Sequence, residues 1–385
     1  MTASPRVLFV DHAGVLGGAE LSLLDLAAAF GERAEVLLLA DGPFRTALEA
    51  RGIAVAVEPL GALSQVKKET RLPHPSSAID AIRVARRVAA RARRRDLIYA
   101  NSQKAFVVAA AAGLVARRPV VWHLRDILAS PHFSGTNVRA AAALANLRAA
   151  RVITNSRATA AAFIGAGGRE ALVRVVHNGI DPAPFDAVTA AAAAATRAEL
   201  GIAADAFVIA LFGRFHPWKG QQVVLDALAQ LPDVHALIVG APLFGEELFA
   251  ASLVAQADRL GVAARAHFLG FRSDVPTLMR AADVVVHASV YPEPFGRVVV
   301  EGMLAGRPVV ATRGGGITEL VTDEDTAVLV PPDDAGALAN AIRALRNDPA
   351  RAAAIAARGM ARAREQFTVS AMVRGVEEAI AGLAG

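Results

Sequence analysis

Two carboxylates and two cations are the residues best suited to chemistry in this chain. Glu293 and Glu301, with seven residues between them, fall within Val290–Glu319, which reads as a loop after one strand, a short helix, the next strand and a glycine-rich turn. With a helix starting near Phe295, Glu293 sits just before its N-terminus and Glu301 about two turns inside, so the two serve different tasks. Pro294 suits the start of a helix, where its missing N–H costs nothing, and Gly296 lets a ligand approach the unpaired first-turn amides. The result is a corner for anions and hydroxyls. Upstream, Gly213-Arg214-Phe215-His216-Pro217-Trp218-Lys219-Gly220 sets a guanidinium that can fork onto phosphate oxygens beside an ammonium that offers the same group a point charge. Downstream, Arg313-Gly314-Gly315-Gly316-Ile317-Thr318-Glu319 presents more backbone amides to a polar ligand.

A second group lies nearer the start. Asp11 to Glu20 carries Gly17 and Gly18 and opens a helix with Leu21, Leu24 and Ala28 on one face. Glycines there allow a tight turn, and the unpaired amides of the helix N-terminus favour phosphate. The spacing is not that of a dinucleotide fingerprint, and no acid closes the second strand. His123 stands in Val121-Trp122-His123-Leu124-Arg125-Asp126, at the carboxyl end of a strand among charged neighbours. Taken alone, a structural histidine accounts for it as well as a catalytic one.

These residues need elements to hold them. Strand candidates are Val7–Val10, Glu35–Ala40, Ala54–Val57, Leu97–Ala100, Pro119–Leu124, Arg151–Thr154 and Val173–His177, separated by stretches of helix length. Pro182, Pro184 and an alanine run mark Asp181–Thr196 as linker passing into helix. The alternation resumes with Phe207–Phe212, His235–Gly240, Ala266–Phe268, Val284–Ala288, Pro308–Thr312 and Ala327–Val330. That rhythm predicts two α/β halves with parallel sheets, facing across a cleft, with ligands beyond the carboxyl ends of the strands. The expected domains are 1–182 and 183–365, with a final helix over 366–385 after a break at Phe367-Thr368.

Composition narrows the function classes. Hydrophobic residues make up 54 % of 385, much of it alanine, and no run reaches the ~18–20 apolar residues of a membrane span. The first apolar run is too short for a signal-peptide core, so a cytoplasmic protein is expected. The absence of cysteine excludes disulfides, thiolate nucleophiles and cysteine-ligated metal centres. Net charge is +5, but Lys67–Arg95 holds ten Lys/Arg against Glu69 and Asp80, a balance of +8, so the remainder is −3. There Arg83, Arg86, Arg87, Arg91, Arg93 and Arg94 share one arc of a helix, opposite Ala81, Ala85, Val88 and Ala92. A solvated surface helix is the plain reading. Contact with an anionic membrane face or acceptor is the second, and nucleic acid is disfavoured because no aromatics interleave.

Taken in order, Gly17-Gly18-Ala19-Glu20, Asn178-Gly179-Ile180-Asp181, Gly213-Arg214 with Lys219-Gly220, and Glu293 to Glu301 with Gly314-Gly315-Gly316 and Glu319 give the chain its resemblance. It is similar, over nearly its whole length, to the GT-B glycosyltransferases of the large retaining family 4, also called glycosyltransferase group 1. The resemblance implies two Rossmann-like doubly wound domains, the C-terminal one holding a nucleotide-diphospho-sugar and the N-terminal one the acceptor. It also implies a last helix that crosses back to the N-terminal domain.

By the same resemblance Arg214 and Lys219 bind the diphosphate in place of a metal, and Glu301 accepts from the ribose hydroxyls. Glu293 and the amides around Phe295 and Gly296 hold sugar hydroxyls, with Gly315 and Glu319 completing the donor site. Gly17 and Gly18 close over the diphosphate, and His123 lies near the transferred sugar. No cofactor or metal is expected, the nucleotide-sugar being a substrate.

The chain departs from the family pattern at Gly302, where alanine is common, at the bulky Trp218, and at Ala327, where glycine is frequent. Asp323-Glu324-Asp325 matches a metal-binding pattern of another glycosyltransferase fold but reads as an ordinary polar turn. The function implied is retaining transfer of a hexose or derivative to an acceptor hydroxyl; the basic helix Arg83–Arg95 adds the expectation of a lipid-linked or polysaccharide acceptor and peripheral membrane contact, with a soluble natural-product acceptor as the alternative. The rival readings are a nucleotide-sugar epimerase or hydrolase of the same fold and a non-catalytic nucleotide-sugar or polyanion binder. Base, sugar and acceptor have no readable code; acceptor contacts are expected from Ala62–Pro75 and Ile127–Asn137.

Overall fold

The computed structural model describes residues 5–60, 75–129, 133–242 and 245–383, and for 75–81 the backbone alone. The expected acceptor loop at 62–75 falls almost wholly outside the described residues, as do 130–132 of the second.

The chain forms two compact units, Met1–Gly179 with Val369–Gly385, and Ile180–Thr368. In the first, β1 (Val7–Asp11), β2 (Ala34–Leu38), β3 (Ala54–Val57), β4 (Leu97–Ala100), β5 (Val120–Leu124), β6 (Arg151–Thr154) and β7 (Val173–Val175) make one parallel sheet in the order β3-β2-β1-β4-β5-β6-β7. Runs such as Val7-Leu8-Phe9-Val10 are apolar at every position because helices cover both faces. Leu8, Ile98, Trp122 and Val152 point to one face, where Phe106 stacks on Trp122 with ring centroids 4.6 Å apart. Val7, Phe9, Tyr99 and Val121 point to the other, packed by the helices Gly18–Phe30 and Val369–Ile380. The latter buries Met372, Val376, Ala379 and Ile380, and Arg33 bonds its Glu377 at 2.9 Å.

The second unit repeats the plan. Strands β8 (Phe207–Phe212), β9 (Val234–Val239), β10 (Ala266–Gly270), β11 (Val284–His287), β12 (Val309–Thr312) and β13 (Val328–Val330) pair in parallel in the order β10-β9-β8-β11-β12-β13. This is the doubly wound Rossmann order. The chain reverses its direction of winding between β8 and β11, opening a crevice beyond their carboxyl ends.

Three details differ from expectation. The helix after Glu293 runs Arg297–Leu304, so Glu301 lies about one turn inside it and Gly296, at φ 99°, is its N-cap. The basic helix runs Pro75–Ala92, leaving Arg93 and Arg94 in the turn beyond it. The expected linker is mostly helical, with Ala183–Asp186 and Ala190–Glu199. Gly302 has a packing reason: a Cβ there would come within 2.9 Å of Val285 and 3.0 Å of Val309, so this helix lies closer on β11 and β12 than alanine allows without a shift.

Candidate active site

In the second unit the predicted residues gather at the switch point. Gly220, at φ 75°, lets the turn after β8 pass so close to β11 that a Cβ would lie 1.9 Å from the Ala288 carbonyl. Val290 N–H donates to the Trp218 carbonyl at 2.8 Å, tying the two loops together. Lys219 Nζ thereby reaches Glu293 and bonds its Oε1. The same oxygen accepts from Ser289 Oγ at 2.7 Å and lies 3.7 Å from His287 Nε2. Burial alone would push the Glu293 carboxyl up, but the Lys219 charge and then His287 outweigh it and hold it well below the usual carboxylate range. All these partners converge on Oε1.

Behind Glu293 the glycine-rich turn is fitted to its backbone. Gly316 N–H donates to the Glu293 carbonyl at 2.8 Å. Gly315, at φ 58°, has no room for a side chain, since a Cβ would sit 2.1 Å from that carbonyl oxygen. Phe295 contributes only backbone to this corner: its ring is buried in the core, 6.1 Å from Phe367. Glu301 is not part of the Glu293 cluster and pairs with Arg297 at 3.2 Å. Glu319 lies in the short helix Ile317–Leu320, with its carbonyl accepting from Arg362 at 3.0 Å.

Trp218, a departure from the family pattern, stands between the two cations. The Arg214 guanidinium lies 5.6 Å and the Lys219 ammonium 5.4 Å from its ring centroid, within cation–π range. One ring thus helps hold two like charges near each other. The acidic turn is fully occupied: Asp323 bonds Arg313, Glu324 bonds Arg351, and Asp325 lies 2.6 Å from Arg358.

In the first unit Gly17 is the N-cap of Gly18–Phe30, and its N–H donates to Glu20 Oε2 at 3.0 Å. Gly18 opens the helix, its carbonyl accepting from Ser22 at 3.1 Å. Burial, and then the Asp11 charge, push the Glu20 carboxyl from 4.5 to about 7. His123 is fully buried near the end of β5, with Nδ1 bonded to the Tyr99 hydroxyl. Burial, then Arg125, lowers the imidazole well below its ordinary value, while burial raises the phenol. The neutral ring shares one hydrogen bond with the phenol at Nδ1, and Nε2 has no hydrogen-bond partner among the described residues.

Sequence reasoning missed the network beside it. Asn101 donates to Asp11 Oδ2 at 2.5 Å, Arg125 Nε donates to Asn101 Oδ1 at 3.0 Å, and Arg125 Nη1 donates to Asn178 Oδ1 at 2.5 Å. These groups come from the ends of β1, β4 and β5 and from beyond β7. Asp11, Arg125 and Asn178 stand in stretches already singled out in the sequence, but their bonds to one another and to Asn101 have no sequence signal beyond a position at or past a strand end.

Each unit carries its polar groups just past the carboxyl ends of a doubly wound sheet, and two such units make the GT-B glycosyltransferase fold. Residues 16–184 match the glycosyltransferase family 4 domain, and residues 193–362 match glycosyl transferases group 1. Anabaena HepE, solved in complex with UDP and glucose, is 43 % identical, with 98 % of this chain and 100 % of that one covered at a TM-score of 0.91. In complex with UDP-glucose, HepE is 44 % identical, with 98 % and 99 % covered at a TM-score of 0.89. The D-inositol 3-phosphate glycosyltransferase of Mycobacterium tuberculosis is 40 % identical over 195 residues, or 50 % of this chain; the match spans 40 % of that curated relative's length. The chain belongs to the family 4, or group 1, glycosyltransferases.

Proposed function

We propose that this glycosyltransferase moves a hexosyl group, glucose first among candidates, from a UDP-sugar to an acceptor hydroxyl with retention of anomeric configuration and without a metal. The observation that carries the reading is the cation pair Arg214 and Lys219 around Trp218, with Lys219 in contact with Glu293. The UDP and UDP-glucose complexes of HepE support the choice of donor.

In this reading Arg214 and Lys219 take the diphosphate and stabilise the charge that develops as the bond from the anomeric carbon to the phosphate oxygen breaks. Glu301 accepts from the ribose hydroxyls, with Gly315 and Glu319 lining the donor site. Glu293, anchored through Oε1, offers Oε2 to sugar hydroxyls, and the amides of Phe295 and Gly296 add donors. His123, a neutral ring whose Nε2 has no partner among the described residues, orients the sugar through a hydrogen bond. The acceptor oxygen bonds the anomeric carbon on the face the phosphate leaves, and its proton passes to the departing phosphate oxygen. Gly17 and Gly18 cover the diphosphate. The acceptor is lipid-linked or polysaccharide, with peripheral membrane contact at the inner membrane face through the Arg83–Arg95 segment. Among the described residues no helix is long and apolar enough to cross a membrane.

Thermal stabilisation by UDP, GDP, ADP and dTDP and their sugar conjugates tests the donor. A ligand at a hundredfold its Kd adds ~2.7 kcal/mol. A shift with the uridine series alone, abolished in Glu301→Ala and Arg214→Ala, is expected, with transfer unaffected by chelator and an NMR product spectrum of unchanged anomeric configuration. An inverted anomer or chelator-sensitive transfer refutes the corresponding part.

A further inference from the structure

The donor reading asks Lys219 to serve the diphosphate, yet its ammonium is bonded to Glu293 Oε1. The Glu293 side chain is only 11 % exposed. A carboxylate so buried is costly once its cation leaves. Without Lys219, Oε1 keeps the neutral Ser289 hydroxyl at 2.7 Å and faces His287 Nε2 at 3.7 Å.

We infer that His287 is a positioning residue for transfer: its Nε2–H takes over Oε1 when Lys219 turns to the diphosphate, keeping Oε2 presented to the sugar. This rests on the donor reading above. His287 ends β11 and is 7 % exposed, and its Nδ1 lies 3.4 Å from Thr312 Oγ1 on neighbouring β12. The single Thr312 hydroxyl proton is used on the Ser289 carbonyl at 2.7 Å. Nε2 faces the Glu293 carboxylate with no hydrogen-bond partner of its own among the described residues. A movement under an ångström brings Nε2 from 3.7 Å to the roughly 2.9 Å of an N–H···O bond.

The charged and titratable groups around the ring act in concert with this. Glu293 faces it from the loop after β11 and Lys219 from the turn after β8, while Tyr291 and Arg313 line the same small cavity. Arg313 is bonded to Asp323, so its charge is already answered. Thr312 fixes the ring from behind, and its bond to the Ser289 carbonyl holds the residue whose hydroxyl also reaches Glu293. His287, Ser289 and Thr312 thus form a frame for one carboxylate oxygen.

The test compares wild type, His287→Gln and His287→Leu for UDP affinity by calorimetry and for UDP-glucose turnover to UDP. Glutamine keeps a neutral N–H donor near the place of Nε2, and leucine keeps only bulk. UDP affinity is expected to stay within about threefold in both variants, which also reports that they fold. Turnover in His287→Leu is expected to fall about ten- to hundredfold in kcat with a smaller change in KM, and His287→Gln to recover part of it. Wild-type kcat in His287→Leu, or UDP affinity falling in step with turnover, overturns the inference. Wild type that binds no nucleoside diphosphate overturns the donor reading and this inference with it, and is recognised before any variant is made.

Discussion

Glu20 and Glu293 are buried carboxyls pushed in opposite directions. Burial and the Asp11 charge raise Glu20 from 4.5 to about 7. A carboxyl whose folded value exceeds its unfolded one holds its proton more tightly when folded. Its cost is therefore absent below about pH 4.5, grows as pH rises, and is complete above pH 7, at about 3 kcal/mol. Glu20→Gln, whose amide oxygen can still accept from Gly17, is expected to remove that slope: urea midpoints of wild type should fall between about pH 5 and pH 8 while those of the variant stay level. Parallel curves would show that Glu20 does not titrate in this window. For Glu293 the sign reverses, because Lys219 and His287 depress it against burial. Its contribution is present above the ordinary carboxylate range and is lost as pH falls below it. Acid thus weakens the second unit at the Glu293 corner, and neutral to alkaline pH weakens the first at its opening turn.

At the scale of elements, the basic helix and the turn after it hold several arginines in ion pairs with the first sheet. Arg87 bonds Glu58 at 2.9 Å, while Arg91 at 3.0 Å and Arg95 at 2.8 Å both reach Glu35 on β2. These three neutralise Glu35 on β2 and Glu58 just past β3. Arg83, Arg86, Arg93 and Arg94, like Arg87, are exposed, and Ile82 beside them is 55 % exposed. Changing those four to Glu is expected to abolish binding to vesicles containing anionic lipid while leaving thermal stability nearly unchanged, whereas Arg91→Glu should destabilise the fold. Vesicle binding that survives the four changes ends the proposal of membrane contact. Strands such as Val7–Asp11 and Val284–His287 were legible because short apolar runs between turn residues leave few alternatives. The Glu293 and Lys219 pair was legible as two separate motifs. What could not be read was pairing across strands: Tyr99 with His123, Asn101 with Asp11 and Arg125, and His287 with Thr312 depend on sheet register, which apolar strands do not encode locally. Trp218 looked like an intrusion because its use, shared by two cations, exists only once the turn is folded.

At the scale of the molecule, the first unit is discontinuous in sequence and the second is not. The returning helix Val369–Ile380 supplies Met372, Val376 and Ile380 to the core around Phe9, Tyr99 and Ile153. At ~1.5–3 kcal/mol for each large side chain, that burial rivals the whole stability of a domain. A chain ending at Thr368 is therefore expected to lose cooperative unfolding of the first unit, while residues 180–368 alone should fold and still bind the nucleotide. Two cooperative transitions in the shortened chain, unchanged from the full one, would disprove the helix's importance. The same discontinuity imposes an order on biosynthesis. After Gly179 leaves the ribosome, the 189 residues of Ile180–Thr368 must be translated before the closing helix exists, which at ~5–20 residues per second takes ~10–40 s. Through that interval one face of the nascent first sheet lacks its cover, so the half of the protein made first is the half completed last, and its yield depends on what shields that face meanwhile.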